Sequence, residues 1–91
     1  MSKRETRRAL RRRKKDKFIA LLGGKCSKCE QEYHRSVYDF HHINPEDKEH
    51  DWHTLRELSW DVIEKEIEKC ILLCANCHRL THAEELEHAN I

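Results

Sequence analysis

The chain has 91 residues, 37% of them hydrophobic and 38% charged, which describes one small domain whose apolar core is marginal without a further constraint. No run of about 18 apolar residues exists to form a transmembrane helix, and the opening Met1-Ser-Lys-Arg-Glu is too charged for a secretory leader. The net charge of +1 conceals a division: residues 1–17 hold ten Lys or Arg against Glu5 and Asp16 (+8), and residues 18–91 hold the other eight bases against fifteen acids (−7).

Residues 4–22 read as a helix without interior Gly or Pro, ended by Gly23-Gly24. Phe18, Ile19, Leu21 and Leu22 give its C-terminal end an apolar side that can dock, so residues 1–24 form a basic arm and residues 25–91 the body. The first ten or so residues have little to bury and are expected to fray in the absence of a partner. Lys25 to Glu30 reads as a tight knuckle around Cys26 and Cys29. Ser36 to Phe40 has strand character and runs into His41-His42, with a turn at Asn44-Pro-Glu-Asp47. Residues through Glu57 read as irregular, with Trp52 as an apolar anchor. Ser59 is the expected N-cap of a helix over 60–69, whose buried stripe is Trp60, Ile63 and Ile67. Cys70 to Leu73 reads as a short strand, and a last helix runs from near Cys74 to about residue 87.

Two Cys-x-x-Cys pairs, Cys26/Cys29 and Cys74/Cys77, can each chelate one zinc from a single turn, tying the knuckle to the last helix across 44 intervening residues. Metal binding then becomes folding energy, which supplies the missing constraint. Cys70 lies outside both pairs in an apolar run and reads as a small core residue. Five cysteines without a leader point to a reducing, cytoplasmic setting in which thiols bind metal. His78 and His82, four apart, share one helix face. His41 and His42 end a strand and point to opposite faces. One of them can complete a three-histidine metal site with His78 and His82, and the other can act as a base near neutral pH. His34, His50, His53 and His88 read as surface or loop residues.

Asp39-Phe-His-His-Ile-Asn-Pro45 followed by Cys70-Ile-Leu-Leu-Cys-Ala-Asn-Cys-His-Arg-Leu-Thr-His82 resembles the HNH endonuclease family, in particular its small bacterial and phage members with four zinc-binding cysteines. The resemblance covers roughly residues 25–83. It implies a small α+β domain with a ββα-metal, treble-clef-like core stapled by a four-cysteine zinc site, here preceded by a basic helix. It also implies phosphodiester hydrolysis in DNA, by nicking or double-strand cleavage, with 5′-phosphate and 3′-hydroxyl products. By position, His42 matches the general base. His41, His78 and His82 match the ligands of one catalytic divalent ion, and Cys26, Cys29, Cys74 and Cys77 match the structural zinc ligands. The family's middle Asn has no counterpart: Lys69 or Cys70 occupies its place, leaving a backbone carbonyl to hold the base.

Three imidazole ligands favour Mn²⁺, Ni²⁺, Co²⁺ or Zn²⁺ over Mg²⁺. Arg79 is either a phosphate clamp or a solvated surface arginine. The arm is expected to bind DNA through phosphates at Arg7, Arg8, Arg11, Arg12, Arg13, Lys14 and Lys15. No aromatic residue interleaves with these bases, so base stacking on the arm is not expected. Two other readings fit the same motifs: a non-catalytic zinc-finger module that binds nucleic acid, and a nuclease subunit active only within a larger assembly such as a phage packaging complex. A monomer and a homodimer are both compatible with the sequence.

Overall fold

The computed structural model describes residues 5–89. In chain order it contains α1 (Arg7–Leu21), a 3₁₀ turn (Arg35–Val37), β1 (Tyr38–His42) and a second 3₁₀ turn (Pro45–Asp47). The short α2 (Trp52–Leu55), α3 (Trp60–Ile67), β2 (Cys70–Cys74) and α4 (Ala75–Ala89) follow. The architecture is α+β with a two-stranded antiparallel sheet in which Tyr38 faces Cys74 and His42 faces Cys70. β2 passes into α4 with no intervening loop, so the end of the strand and the first helical turn share the second cysteine pair.

Helix α1 starts where a capping side chain exists. Thr6 accepts a hydrogen bond from the Ala9 amide at 3.1 Å, satisfying one of the unpaired donors of the first turn. The expected fraying of the first ten residues therefore gives way, over residues 6–10, to a capped helix; residues 1–4 lie outside the described residues. The helix stops at Gly23 and Gly24, both at positive φ, where the Gly24 amide donates to the Ile19 carbonyl at 2.9 Å. Phe18 and Ile19 anchor α1 to the body, as the sequence implied. Lys14, one turn earlier, is a correction to the arm: it is 5% exposed, and its ammonium donates to the carbonyls of Arg56 and Leu58 at 2.8 and 2.9 Å. A cation spent on the carbonyls that follow α2 is not free for a phosphate.

The segment read as irregular before Glu57 contains α2, capped by Asp51, which accepts from the Thr54 amide at 2.9 Å. An Asx cap can start a helix of one turn too short to show periodicity. Ser59 takes the N-cap position of α3 without a side-chain hydrogen bond. Asn44 accepts from the Glu46 amide and starts the second 3₁₀ turn, in the predicted place.

Two apolar clusters meet beneath the sheet. One gathers Ile19, Cys26, Tyr38, Leu72, Leu73, Cys74 and Cys77. The other gathers Phe18, Leu55, Ile63 and Ile67, and Leu22 and Phe40 pack against both. Trp52 lies against Phe40 with ring centroids 4.8 Å apart, which makes it the anchor of the second cluster's edge. Cys70 is buried, and burial pushes its thiol up to about 12, as suits a core residue rather than a ligand. Phe18 is fully buried and joins α1 to α3, so Phe18→Ala is expected to cost about 3–5 kcal/mol in urea unfolding. A loss under 1 kcal/mol would show that α1 is not docked.

Candidate functional site

The knuckle is built by backbone hydrogen bonds. The Glu30 amide donates to the Cys26 carbonyl, and the Ser27 amide donates across to Leu72 on β2 at 2.8 Å. Tyr38 braces it, accepting from the Tyr33 amide at 2.8 Å and donating to the Gly24 carbonyl at 3.1 Å. Cys26 and Cys29 are thereby brought to Cys74 and Cys77, and the four sulfurs lie within 4.8 Å of one another. Cys29 and Cys74 stand 3.9 Å apart, against about 3.8 Å for two sulfurs of a tetrahedral site with Zn–S near 2.3 Å. The cluster could therefore hold a structural metal such as zinc. Burial pushes the Cys26 thiol up, but the amides of Cys29, Cys74 and Lys28 outweigh it and hold the group at about 6, favouring the thiolate that a metal requires.

The inner face of α4 carries Cys77, His78, Thr81, His82 and Glu85 at helical spacing, so the stripe that starts with sulfur continues with imidazole. His41 projects from β1 onto this stripe. One ring nitrogen from each of His41, His78 and His82 lies within 4.8 Å of the other two. The His78 and His82 Nε2 atoms are 3.0 Å apart, compatible with the roughly 3.0–3.4 Å between neighbouring nitrogens bound to one ion at about 2.0–2.1 Å. His78 Nδ1 lies 3.1 Å from Asp39 Oδ2, the carboxylate–histidine arrangement that fixes a ligand's tautomer and leaves Nε2 free to coordinate. Glu85 reaches both His41 (3.7 Å) and His82 (3.6 Å). Burial lowers the pKa of His41, and the positive charge that His78 could carry lowers it further despite Glu85; a neutral imidazole is the form that binds metal.

His42 points away from that stripe, as strand alternation requires, and still lines the same cleft of about 180 Å³ with Phe40, His41, Pro45, Lys48, His78 and His82. Its Nε2 lies 2.7 Å from Glu66 Oε1. Glu66 is 2% exposed and saturated with donors. Oε1 also accepts from the Glu49 amide at 3.0 Å, and Oε2 accepts from Lys69 Nζ at 3.2 Å. Burial pushes the Glu66 carboxyl up, and these hydrogen bonds overcome it to hold the group at about 2. An ionised carboxylate only accepts, so a neutral His42 carries its proton on Nε2 and keeps the Nδ1 lone pair free. The group that holds His42 is thus a side-chain carboxylate, where the sequence suggested a backbone carbonyl, and Lys69 braces that carboxylate. Glu66 was not singled out in the sequence, because it reads as one more acid on an amphipathic helix.

The remaining expected site residues divide. Arg79 is exposed on α4 and is not among the residues lining the histidine cleft; Lys48 lines it instead. Arg8, Arg11, Arg12 and Lys15 line a separate groove with Arg35 and Arg56. Arg7 is exposed, and Arg13 turns toward Glu5 and over the Trp60 ring, outside that groove. His34 caps the first 3₁₀ turn, His50 lies just before α2, His53 lies within α2 and lines the groove of the basic residues, and the side chain of His88 lies outside the described residues. No helix among the described residues is long and apolar enough to cross a membrane. Comparison with protein-family models, curated proteins and solved structures finds no match for the chain.

Two outcomes test this geometry. After dialysis against a mild chelator, the wild-type chain is expected to keep one zinc per molecule by colorimetric assay; Cys74→Ser is expected to lose it, and with it cooperative unfolding, because such sites contribute on the order of 10 kcal/mol. Glu66→Gln is expected to cost about 3 kcal/mol near neutral pH. The folded carboxyl lies below its ordinary 4.5, so its contribution is present above that value and is lost as pH falls toward about 2. The gap between wild type and Glu66→Gln in urea midpoints is therefore expected to hold at neutral pH and to close below about pH 4.5. A gap that stays constant to lower pH would remove Glu66 as an ionised partner.

Proposed function

We propose that the chain is a metal-dependent HNH endonuclease that hydrolyses phosphodiester bonds in DNA, with Cys26, Cys29, Cys74 and Cys77 around a structural zinc. The observation that carries the reading is the convergence of His41, His78 and His82 within 4.8 Å, beside a fourth histidine that lines the same cleft with one nitrogen committed to a carboxylate. A structural histidine cluster needs no such division of labour. The order of two strands and a helix, with the imidazoles on β1 and α4, is consistent with a ββα-metal core.

A divalent ion held by His41, His78 and His82 would supply Lewis acidity to the scissile phosphate and the leaving 3′ oxygen. The rest falls to the chain. His42 Nδ1 accepts a proton from the attacking water, while Glu66 holds the ring through Nε2 and stabilises the imidazolium that forms. Asp39 fixes the His78 ring so that Nε2 faces the site. Lys48, at the rim of the cleft, is placed to attract a phosphate oxygen. β1 contributes His41 and His42 and α4 contributes His78 and His82, so the two elements meet at one shared cleft.

The test is plasmid nicking by the zinc-loaded protein. Supercoiled DNA is expected to relax with Mn²⁺, Ni²⁺ or Co²⁺ and to stay intact in EDTA. His42→Ala is expected to slow relaxation by at least about 100-fold while leaving zinc content unchanged. Cleavage by His42→Ala at the wild-type rate rejects the catalytic assignment. Binding without any cleavage, in every metal tried, favours the non-catalytic zinc-finger reading.

A further inference from the structure

Arg8, Arg11, Arg12 and Lys15 fall at i, i+3, i+4 and i+7 of α1, so they form one cationic stripe on the helix. Like charges at these spacings destabilise a helix, and the first turn of α1 has no acid to offset its basic residues. The fold adds to the repulsion. Arg35 from the first 3₁₀ turn and Arg56 from the end of α2 are brought to the same groove, of about 410 Å³, whose lining includes Asp39 as its one acid. Some of this charge is neutralised at the rim: Arg11 bonds Glu57 at 2.6 Å and Arg35 bonds Asp16 at 2.7 Å. Arg56 Nε is buried with no hydrogen-bond partner, its nearest carboxylate oxygen being Glu57 Oε1, 3.8 Å away and already bonded by Arg11. Burial lowers the pKa of Lys15, Asp39 opposes the shift, and Arg35 and Arg56 lower it further. The groove is therefore short of negative charge by its own hydrogen bonding.

Its position gives the missing charge an identity. Lys15, Asp39 and Trp52 line both this groove and a second cleft, and that cleft shares Phe40 and His78 with the histidine site. Three adjacent clefts thus lead from the basic stripe, past Trp52, to the three imidazoles, and together they make a track. We propose that this track seats one strand of the nucleic acid flanking the bond to be cut, with its phosphates at Arg12, Lys15 and Arg56 and a sugar or base against Trp52. The identity of the ligand rests on the nuclease reading. The consequence differs from that of a flexible arm: contact depends on which face of α1 a cation occupies, not on the number of cations. It also gives an aromatic side chain to a basic surface that shows none in the linear sequence.

The experiment uses the full chain loaded with structural zinc, without a second metal. A fluorescein-labelled 16-nucleotide single strand and the matching duplex are titrated at several NaCl concentrations and read by anisotropy. Arg12→Gln, Lys15→Gln and Arg56→Gln are each expected to weaken binding about fivefold or more at low salt and to reduce the salt slope by about one. Arg13→Gln, on the same helix and facing Trp60, is expected to change affinity less than about twofold. In a Trp60→Phe background Trp52 is the sole tryptophan, and its emission is expected to quench as the strand binds. Circular dichroism and zinc content check that each variant is folded; where one is not, the other two and the Trp52 signal decide. Equal losses from Arg12→Gln and Arg13→Gln, or binding with no change at Trp52, overturn the track in favour of an unstructured electrostatic arm. Plasmid nicking on the same proteins separates the two readings: groove-dependent binding without cleavage sinks the nuclease alone, and cleavage that ignores all three groove variants sinks the track alone.

Discussion

The arrangement depends on bringing one pair of sulfurs near residue 26 to another near residue 74. Cys74 is the last residue of β2 and sits opposite Tyr38, the first residue of β1. Cys77 is one turn into α4 and is buried. Fixing those two side chains fixes the rotation of α4 about its axis, and with it the direction in which His78 and His82 point. Asp39 and His41, two residues apart on β1, share the sheet face that meets α4, where Asp39 bonds His78, so the histidine of β1 arrives over the same helix face. The sulfur cluster thus sets the phase of the candidate catalytic centre without contributing an atom to it. A small core could not do this alone, because its two apolar clusters meet only through partly buried side chains such as Leu22 and Phe40.

Two buried charges show how the fold tolerates what it could not otherwise bury. Lys14 and Glu66 are 5% and 2% exposed. Each is surrounded by partners of the other polarity: carbonyls of Arg56 and Leu58 around the ammonium, amides and Lys69 around the carboxylate. An isolated ion at either place would neutralise or drive the segment open. Lys14 closes the C-terminal end of α2 onto α1. Glu66 ties the loop at Glu49 and His50 to α3 and, through His42, to the sheet. The same carboxylate is therefore both a structural tie and, in the proposed chemistry, the group that orients the base.

The charge division along the sequence has a spatial counterpart. The cations of α1 separate by helix face: Lys14 is consumed by the body, Arg13 turns to Glu5 and Trp60, and Arg8, Arg11, Arg12 and Lys15 remain in the groove. Glu57 of the acidic body orients Arg11, and Asp16 of α1 itself orients Arg35. In the proposed track such a surface would give a polyanion a fixed direction of approach, which a frayed arm would lack.

The sequence by itself determined the longer elements and the two groups of side chains that could hold a metal. The Cys-x-x-Cys pairs, the i, i+4 spacing of His78 and His82, the Gly23-Gly24 stop and the Trp60/Ile63/Ile67 stripe are local patterns, and each depends only on the geometry of one turn or one strand. Strand alternation also assigned His41 and His42 to opposite faces. Other features could be decided only by the tertiary structure, because they join residues far apart in the chain. Glu66 is 24 residues from His42, Arg56 is 44 from Arg12, and Lys14 meets the carbonyl of Arg56 across 42. An acid, an arginine or a lysine on a polar helix face carries no local mark of its partner. Only the folding of α3 and α2 against β1 and α1 makes these residues a carboxylate that holds His42, a groove wall and a buried tie.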